Sequence, residues 1–327
     1  MHATRLHAFG PAENLRYEDV PDPEPASEQV RIVVEASGVH LIDTRIRSGI
    51  AMGRLPLPDL PTIPGREVAG TVDATGPGVD ADWVGRRVVA HLGAASRGYA
   101  ELAVAPVDAL HEIPDHLAAD AAVAMIGTGR TAMLILDTAS LTTDDVVLVM
   151  AAAGGLGSLF VQAARNAGSV VVGAAGGPGK VERVRALDAD VAADYLAPDW
   201  PEHVRDALGD RSVTVVLDGV GGAAGHAALE LLGAGGRLVM FGMASGEPTA
   251  VTTPDLMSRS LTATWALGPS GPEALRELEN RALKEAAAGR LVPLVTRFPL
   301  ARAADAHAGL ERRATAGKVV LAPTPEA

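Results

Sequence analysis

The chain has no cysteine among its 327 residues, which excludes disulfides, iron–sulfur clusters, thiol nucleophiles and every cysteine-ligated zinc site. Aromatic residues make up only 3%, and lysine occurs only at Lys180, Lys284 and Lys318. Positive charge is in deficit: 28 Lys plus Arg stand against 40 Asp plus Glu, a formal net charge of −12. Such a surplus of acid repels a phosphate backbone and argues against a nucleic-acid partner. The opening residues, MHATRLHAFG, contain no apolar core, so no secretory signal is expected and a cytoplasmic location fits best. The longest nearly uncharged apolar stretch, Val146–Ala164, approaches membrane-span length. Gly154, Gly155 and Gly157 interrupt it, so it reads as strand, tight turn and helix, and no membrane partner is expected. No internal repeat, G-x-S-x-G elbow or H-E-x-x-H motif occurs.

What remains is an ordinary globular composition, 48% hydrophobic and 21% charged. At roughly 150 residues per domain the length predicts about two domains. Short apolar runs at Gln29–Ala36, Glu67–Ala74, Arg86–His91 and Tyr99–Val104, broken by Pro and Gly clusters, predict an irregular β-barrel or sandwich. From about Ala118 strand and helix patterns alternate. Strands are expected at Val146–Ala151, Ser169–Ala174, Val191–Asp194, Val213–Asp218, Gly236–Phe241 and Ser260–Ala266. The helices between them, Leu156–Ala167, Gly179–Leu187, Pro201–Leu208 and Ala223–Leu232, imply a parallel sheet covered on both faces. Two more helices, Glu273–Ala288 and Arg302–Ala314, precede a last strand, Lys318–Ala322, which needs a partner and is expected to return to the N-terminal β region.

After strand Val146–Ala151 the chain reads A-x-G-x-x-G, with Ala152 in place of the first glycine of a dinucleotide fingerprint. Gly154 would let backbone approach a pyrophosphate, Gly157 would let helix pack on strand, and the helix N-terminus would bind the phosphate charge. An NAD site wants Asp or Glu at the end of the second strand. Here that strand runs into Gly173-Ala-Ala-Gly-Gly-Pro-Gly-Lys180, with no acid before Glu182, which favours the extra phosphate of NADPH. Lys180, with Arg183, would supply positive charge, unless Lys180 is simply a solvated surface lysine.

The stretch Gly38-Val-His-Leu-Ile-Asp-Thr-Arg-Ile-Arg-Ser-Gly49 resembles the G-V-N-F-I-D-T-Y-x-R-x-G motif of zinc-independent quinone oxidoreductases. These belong to the medium-chain dehydrogenase/reductase superfamily. Further matches are Ile63-Pro-Gly-Arg-Glu-Val-Ala-Gly70, the fingerprint, Asp218-Gly-Val-Gly221, Phe241-Gly-Met-Ala-Ser-Gly246 and Glu311-Arg-Arg-Ala-Thr-Ala-Gly-Lys318. The resemblance implies an α/β protein with a GroES-like β-rich catalytic domain over residues 1–120, completed by 268–327. A doubly wound, parallel-sheet Rossmann domain would cover 121–267, and a homodimer is implied. It places Thr131 and the stretch from Leu41 to Arg45 near the nicotinamide. Gly154, Gly155, Leu156 and Gly157 would hold the pyrophosphate, and Gly176, Lys180 and Tyr195 would surround the adenosine ribose and its phosphate. Tyr195 could equally be a half-buried core tyrosine. Gly219, Phe241, Gly242, Met243 and Lys318 would close the site.

Three positions depart from the family: His40 replaces its Asn, Arg45 its Tyr, and Trp265 the Arg after the last Rossmann strand. His40 and Arg45 become the candidate substrate-pocket donors. The alternatives are a satisfied core histidine, and an arginine that points to solvent or pairs with Asp43. The implied activity is NADPH-dependent hydride transfer to a quinone or an α,β-unsaturated carbonyl acceptor. An enoyl-thioester reductase and a non-catalytic NADPH-binding protein are the competing readings. Zinc-dependent relatives place Cys and His where His40 and Arg66 stand. Arg66 cannot ligate zinc, and His40 with Glu67 lacks a third ligand, so no metal is expected. The purified protein is therefore expected to keep its activity in a strong chelator. Elemental analysis finding about one zinc per chain, the occupancy of a catalytic site, would overturn this.

Overall fold

Along strand Gln29–Val39 the side chains of Val30, Ile32, Val34 and Ala36 are buried while Val33 and Glu35 are exposed, the period of two of a half-covered sheet. From Ser37 to Val39 every residue is buried, because strand Lys318–Ala322 pairs there, antiparallel, with Val319 opposite Val39. The tail thus returns to the N-terminal β region, as its pattern required. In this computed structural model, which describes residues 1–51 and 56–323, the chain divides into two units.

The first unit comprises Met1–Thr128, Leu283–Ala287 and the segment from Pro293 onward. Its main sheet runs in the order Val295–Pro299, Lys318–Ala322, Gln29–Val39, Glu67–Thr75, Arg87–His91 and Leu110–Glu112, with Leu102–Pro106 also on Gln29–Val39. One core packs Val30, Ile32, Val68, Val72 and Val88; another packs Val39, Tyr99, Leu300, Ala303 and Val319. The sequence reading had not separated the hairpin His2–Leu6/Leu15–Asp19 or the short helix Leu41–Arg47.

The second unit, Gly129–Ala282 with Ala288–Val292, holds six parallel strands. Their spatial order is Val191–Asp194, Val170–Ala175, Val146–Met150, Val213–Asp218, Leu232–Met240 and Thr262–Trp265. This is the doubly wound arrangement, whose ligands bind beyond the carboxyl ends of the strands. The stretch from Val146 is indeed strand, turn and helix, the helix being Gly155–Asn166. Among the described residues, a segment the periodicity had not flagged, Ala119–Ala139, is instead the one long and apolar enough to cross a membrane, and the protein itself buries 67% of its most apolar window.

The division differs from the one expected in three places. The first unit runs on to Thr128, because helix Ala119–Ala124 packs on its sheet before a π-helical turn, Met125–Gly129. Residues 268–282 and 288–292, expected with the first domain, belong to the second. Ion pairs explain this: Arg281 makes two 2.7 Å bonds to the Asp137 carboxylate, and Arg130 reaches Glu279 at 2.7 Å.

His307, on helix Ala303–Glu311, has no exposed surface. Its Nε2 lies 3.1 Å from the Tyr99 hydroxyl, and its Nδ1 has no partner. Burial pushes the imidazole down to about 4; Asp43 opposes the shift and Arg47 adds to it. As pH falls the unfolded chain takes up this proton first, so stability is complete above the ordinary histidine value and is lost toward pH 4. Urea unfolding should show about 3 kcal/mol of acid loss from this residue between pH 7 and pH 4. His307→Gln should remove that component; equal acid losses in both proteins would refute the assignment.

Candidate active site and cofactor loops

Strand register brings three ionisable side chains together in the first unit. Val319 pairs with Val39, so Lys318 falls beside His40; Ser37 pairs with Val68, so Glu67 falls opposite Gly38. The Lys318 Nζ lies 2.8 Å from Glu67 Oε2 and 2.7 Å from His40 Nε2, and that same Nε2 lies 2.6 Å from Glu67 Oε1. Glu67 has no exposed surface, the Lys318 side chain is 4% exposed, and only His40, at 24%, reaches solvent appreciably.

Two glycines make room for the carboxylate. A Cβ at Gly38 would stand 2.1 Å from Oε2, and one at Gly127 would stand 1.6 Å from Oε1. Burial pushes the Glu67 carboxyl upward, yet His40, Lys318 and His91 outweigh it and hold the group well below the usual carboxylate range. Burial also lowers Lys318 from its ordinary value, with Glu67 opposing the shift. The sequence had offered Glu67 only as half of an incomplete zinc site and Lys318 as a cofactor contact. The legible signal was a rare lysine directly before a buried Val-Val-Leu run.

The pairings around this trio correct another expectation. Asp43 accepts from the His40 backbone N–H at 2.8 Å and pairs with Arg66 at 3.2 Å, not with Arg45. Arg45 is exposed on helix Leu41–Arg47, and its side chain makes no hydrogen bond or ion pair among the described residues. Leu41 is also exposed. The structure therefore takes His40 into the cluster and leaves Arg45 outside it.

In the second unit the fingerprint turn is made by Ala151, whose φ of 52° is left-handed. Ala152, which stands in place of the fingerprint's first glycine, follows Ala151 in the turn, its N–H donating to the Ala174 carbonyl at 2.9 Å. Gly154 donates to the Ala151 carbonyl at 2.8 Å and caps the helix that begins at Gly155 and Leu156. A Cβ on Gly157 would stand 2.2 Å from the Ala151 oxygen, so only glycine allows this helix to sit so close. A Cβ on Gly154 would meet only that same oxygen, at 3.1 Å, which leaves its other side open. First-turn N–H groups lack intrahelical acceptors, and an open glycine edge beside them fits a pyrophosphate.

At the end of the second strand, Gly176 lies against the Tyr195 ring, where a Cβ would meet it at 3.1 Å. Tyr195 is half-buried and packs on the sheet core, and Lys180 is partly buried in helix Pro178–Arg185. An acid does approach this turn, from the third strand: Asp194 Oδ1 accepts from Gly177 N at 2.8 Å and from Leu196 N at 3.0 Å. Further along, the buried Asp218 carboxylate accepts from Val220 N at 2.8 Å, Gly221 N at 3.1 Å and the Thr249 hydroxyl. Phe241 packs on Gly219, where a Cβ would be 2.4 Å from the ring, and Gly242 is held against the Gly219 carbonyl. Met243 and Trp265 are exposed, and Thr131 is half-buried in the first turn of helix Arg130–Ala139.

Residues 155–284 match the zinc-binding dehydrogenase family and residues 26–115 the alcohol dehydrogenase GroES-like domain. The quinone oxidoreductase of Salmonella typhimurium is 33% identical over 336 residues, covering 98% of this chain and 100% of that protein. The 2-haloacrylate reductase of a Burkholderia species is 32% identical, covering 98% of each. Among solved structures, Escherichia coli quinone oxidoreductase complexed with NADPH superposes with a TM-score of 0.84 at 30% identity, over 99% of this chain and 100% of that one.

Gly127→Ala should drive the Glu67 carboxylate out of its slot. Stability should fall by about 3 kcal/mol or more, as when a buried ion pair is broken. Urea unfolding checks this; a loss below about 1 kcal/mol, ordinary for a point substitution, would mean that the slot does not hold the charge.

Proposed function

The chain belongs to the zinc-independent quinone oxidoreductase family of the medium-chain dehydrogenase/reductase superfamily, and on that premise we propose that it is an NADPH-dependent reductase of quinones and α,β-unsaturated carbonyls. When bound, NADPH supplies the hydride. The chain's task is to hold the cofactor and to polarise the acceptor carbonyl. Gly155, Leu156 and Gly157 would hold the pyrophosphate on first-turn backbone N–H groups, and Gly154, its own N–H taken by the Ala151 carbonyl, would let the backbone come close. Gly176, Lys180 and Tyr195 would take the ribose and its 2′-phosphate. Asp194 does not restore an NAD site on this reading, because its Oδ1 is committed to two backbone amides.

The observation that carries the proposal is the trio around Glu67. Negative charge grows on the acceptor oxygen as hydride arrives, and a site without a metal must meet it with fixed donors or cations. His40, with the Lys318 charge directly behind it, is such a donor. The match to a 2-haloacrylate reductase extends the acceptor class to alkenes conjugated with an acid group, which brings enoyl thioesters within the second reading.

The test is NADPH and NADH oxidation with 9,10-phenanthrenequinone, an enone and crotonyl-CoA. Turnover with the quinone or the enone and a preference for NADPH are expected. Fast turnover with crotonyl-CoA alone would favour the thioester reading, and binding without turnover the non-catalytic one. A charge-assisted contact is worth roughly 1.5–3 kcal/mol, so Lys180→Ala should weaken NADPH by about one to two orders of magnitude and NADH little. Equal use of both cofactors by the unmodified protein would overturn the cofactor assignment.

A further inference from the structure

Arg66 is a cation with more donors than its surroundings use. Its side chain is 17% exposed, and a guanidinium presents five N–H groups in a planar fork. Among the described residues only Nη2 has an acceptor, Asp43 Oδ1 at 3.2 Å. Nε is buried without a partner, and Nη1, which is not buried, makes no hydrogen bond among those residues.

The reason lies on the Asp43 side. A carboxylate that meets arginine well puts both oxygens on one fork. Here Oδ2 is already taken, by the His40 backbone N–H at 2.8 Å and the Tyr99 hydroxyl at 3.4 Å. Only Oδ1 is left for Arg66, so a single bond holds the pair. Asp43 is itself buried in the first turn of helix Leu41–Arg47, which fixes the inner end of the guanidinium while the outer nitrogen stays unfilled. A planar cation held in this way matches a second planar anion with two oxygens. It also stands beside the trio. Asp43 joins it to the backbone of His40, and its charge adds to the burial that lowers Lys318.

We infer that Arg66 is a specificity-determining residue, and that it selects acceptors carrying a free carboxylate next to the conjugated double bond. This deepens the reductase reading and rests on it. Quinones and enoyl thioesters offer no such group beside the bond that is reduced. An acceptor anchored on Nη1 is one side chain, Asp43, away from His40, the donor assigned to its carbonyl. The reaction itself is unchanged: hydride from NADPH and a proton from water add across the double bond, and the carboxylate keeps its charge. Arg66 makes the same contact before and during hydride transfer, so its effect falls on KM and leaves little trace in kcat.

Steady-state kinetics with NADPH, comparing the enone acid 4-oxo-2-pentenoate with its methyl ester, test this. The ester is the more electrophilic of the two, so reactivity alone cannot favour the acid. The acid should have the lower KM, by about tenfold or more, the scale of one charge-assisted hydrogen bond. The KM ratio should fall toward one in Arg66→Gln, which keeps a donor for Asp43 but carries no charge. It should also fall in the unmodified protein as salt is raised, since a partly exposed ion pair is screened. A ratio taken within one protein is insensitive to loss of folded enzyme, and the salt series needs no variant. An unmodified protein that takes the ester as well as the acid would overturn the inference. So would an acid preference that survives Arg66→Gln or, where that variant does not fold, survives high salt. If neither acid, ester nor 9,10-phenanthrenequinone is reduced, the reductase reading falls and takes the inference with it. If the quinone or the ester turns over and the acid does not, only the inference falls.

Discussion

Keeping the Glu67 carboxylate charged without any exposed surface is the constraint around which the first unit is built. An ion moved out of water loses several kcal/mol even after relaxation, and only close, well-placed partners offset this. Here the partners come from both ends of the unit: His40 ends the strand beside it, and Lys318 lies 251 residues further along the chain. The return of strand Lys318–Ala322 to Ser37–Val39 is therefore an electrostatic requirement as well as a way of closing the sheet. Gly38 and Gly127 follow from the same constraint, since any side chain there would occupy the carboxylate's place.

Two carboxylates at turns of the second unit, the buried Asp218 and the partly exposed Asp194, are held differently. Asp218 and Asp194 face backbone N–H groups and hydroxyls, and so organise turns. Their charge is spread over neutral donors, which fixes loop shape and leaves no strong local cation. The result is a chain with two electrostatic regimes. Around Glu67 a buried ammonium meets the carboxylate directly; around Asp218 and Asp194, backbone dipoles do. That separation suits a reaction in which one part of the protein holds phosphates and another must accommodate charge that appears only during turnover.

Much of the fold was legible because local signals agreed with it. The alternation at Val30, Ile32 and Val34, the strand–turn–helix at Val146 and the tail strand at Lys318 were all visible from period and turn residues. The long helix Ala119–Ala139 was not: its first half is apolar nearly all round, and its polar face, with Arg130, Thr131, Asp137 and Thr138, is confined to the second half. Residues 268–282 were assigned to the first domain because nothing in the sequence ties Arg281 to Asp137. The trio was illegible for a related reason. His40, Glu67 and Lys318 are adjacent only through the registers of three strands, and no spacing along the chain encodes a register. The turn from Ala151 to Gly157 was legible in the sequence because its strand, turn and helix signals are local; the left-handed conformation of Ala151 was not among them.

The match to a zinc-binding dehydrogenase family and the lack, among the described residues, of three grouped His, Cys, Asp or Glu ligands meet at Lys318. Its ammonium stands 2.7 Å from an imidazole nitrogen and 2.8 Å from a carboxylate oxygen, the donor types that bind zinc at about 2.0–2.2 Å. A divalent ion there would have to displace a tethered cation and would face the Arg66 charge paired to Asp43 nearby. The exchange of metal for ammonium changes what the site can do. Zinc polarises a carbonyl by direct coordination and a double charge. An ammonium brings a single charge and polarises less, and it meets an acceptor only through hydrogen bonds, here to the Glu67 carboxylate and the His40 ring.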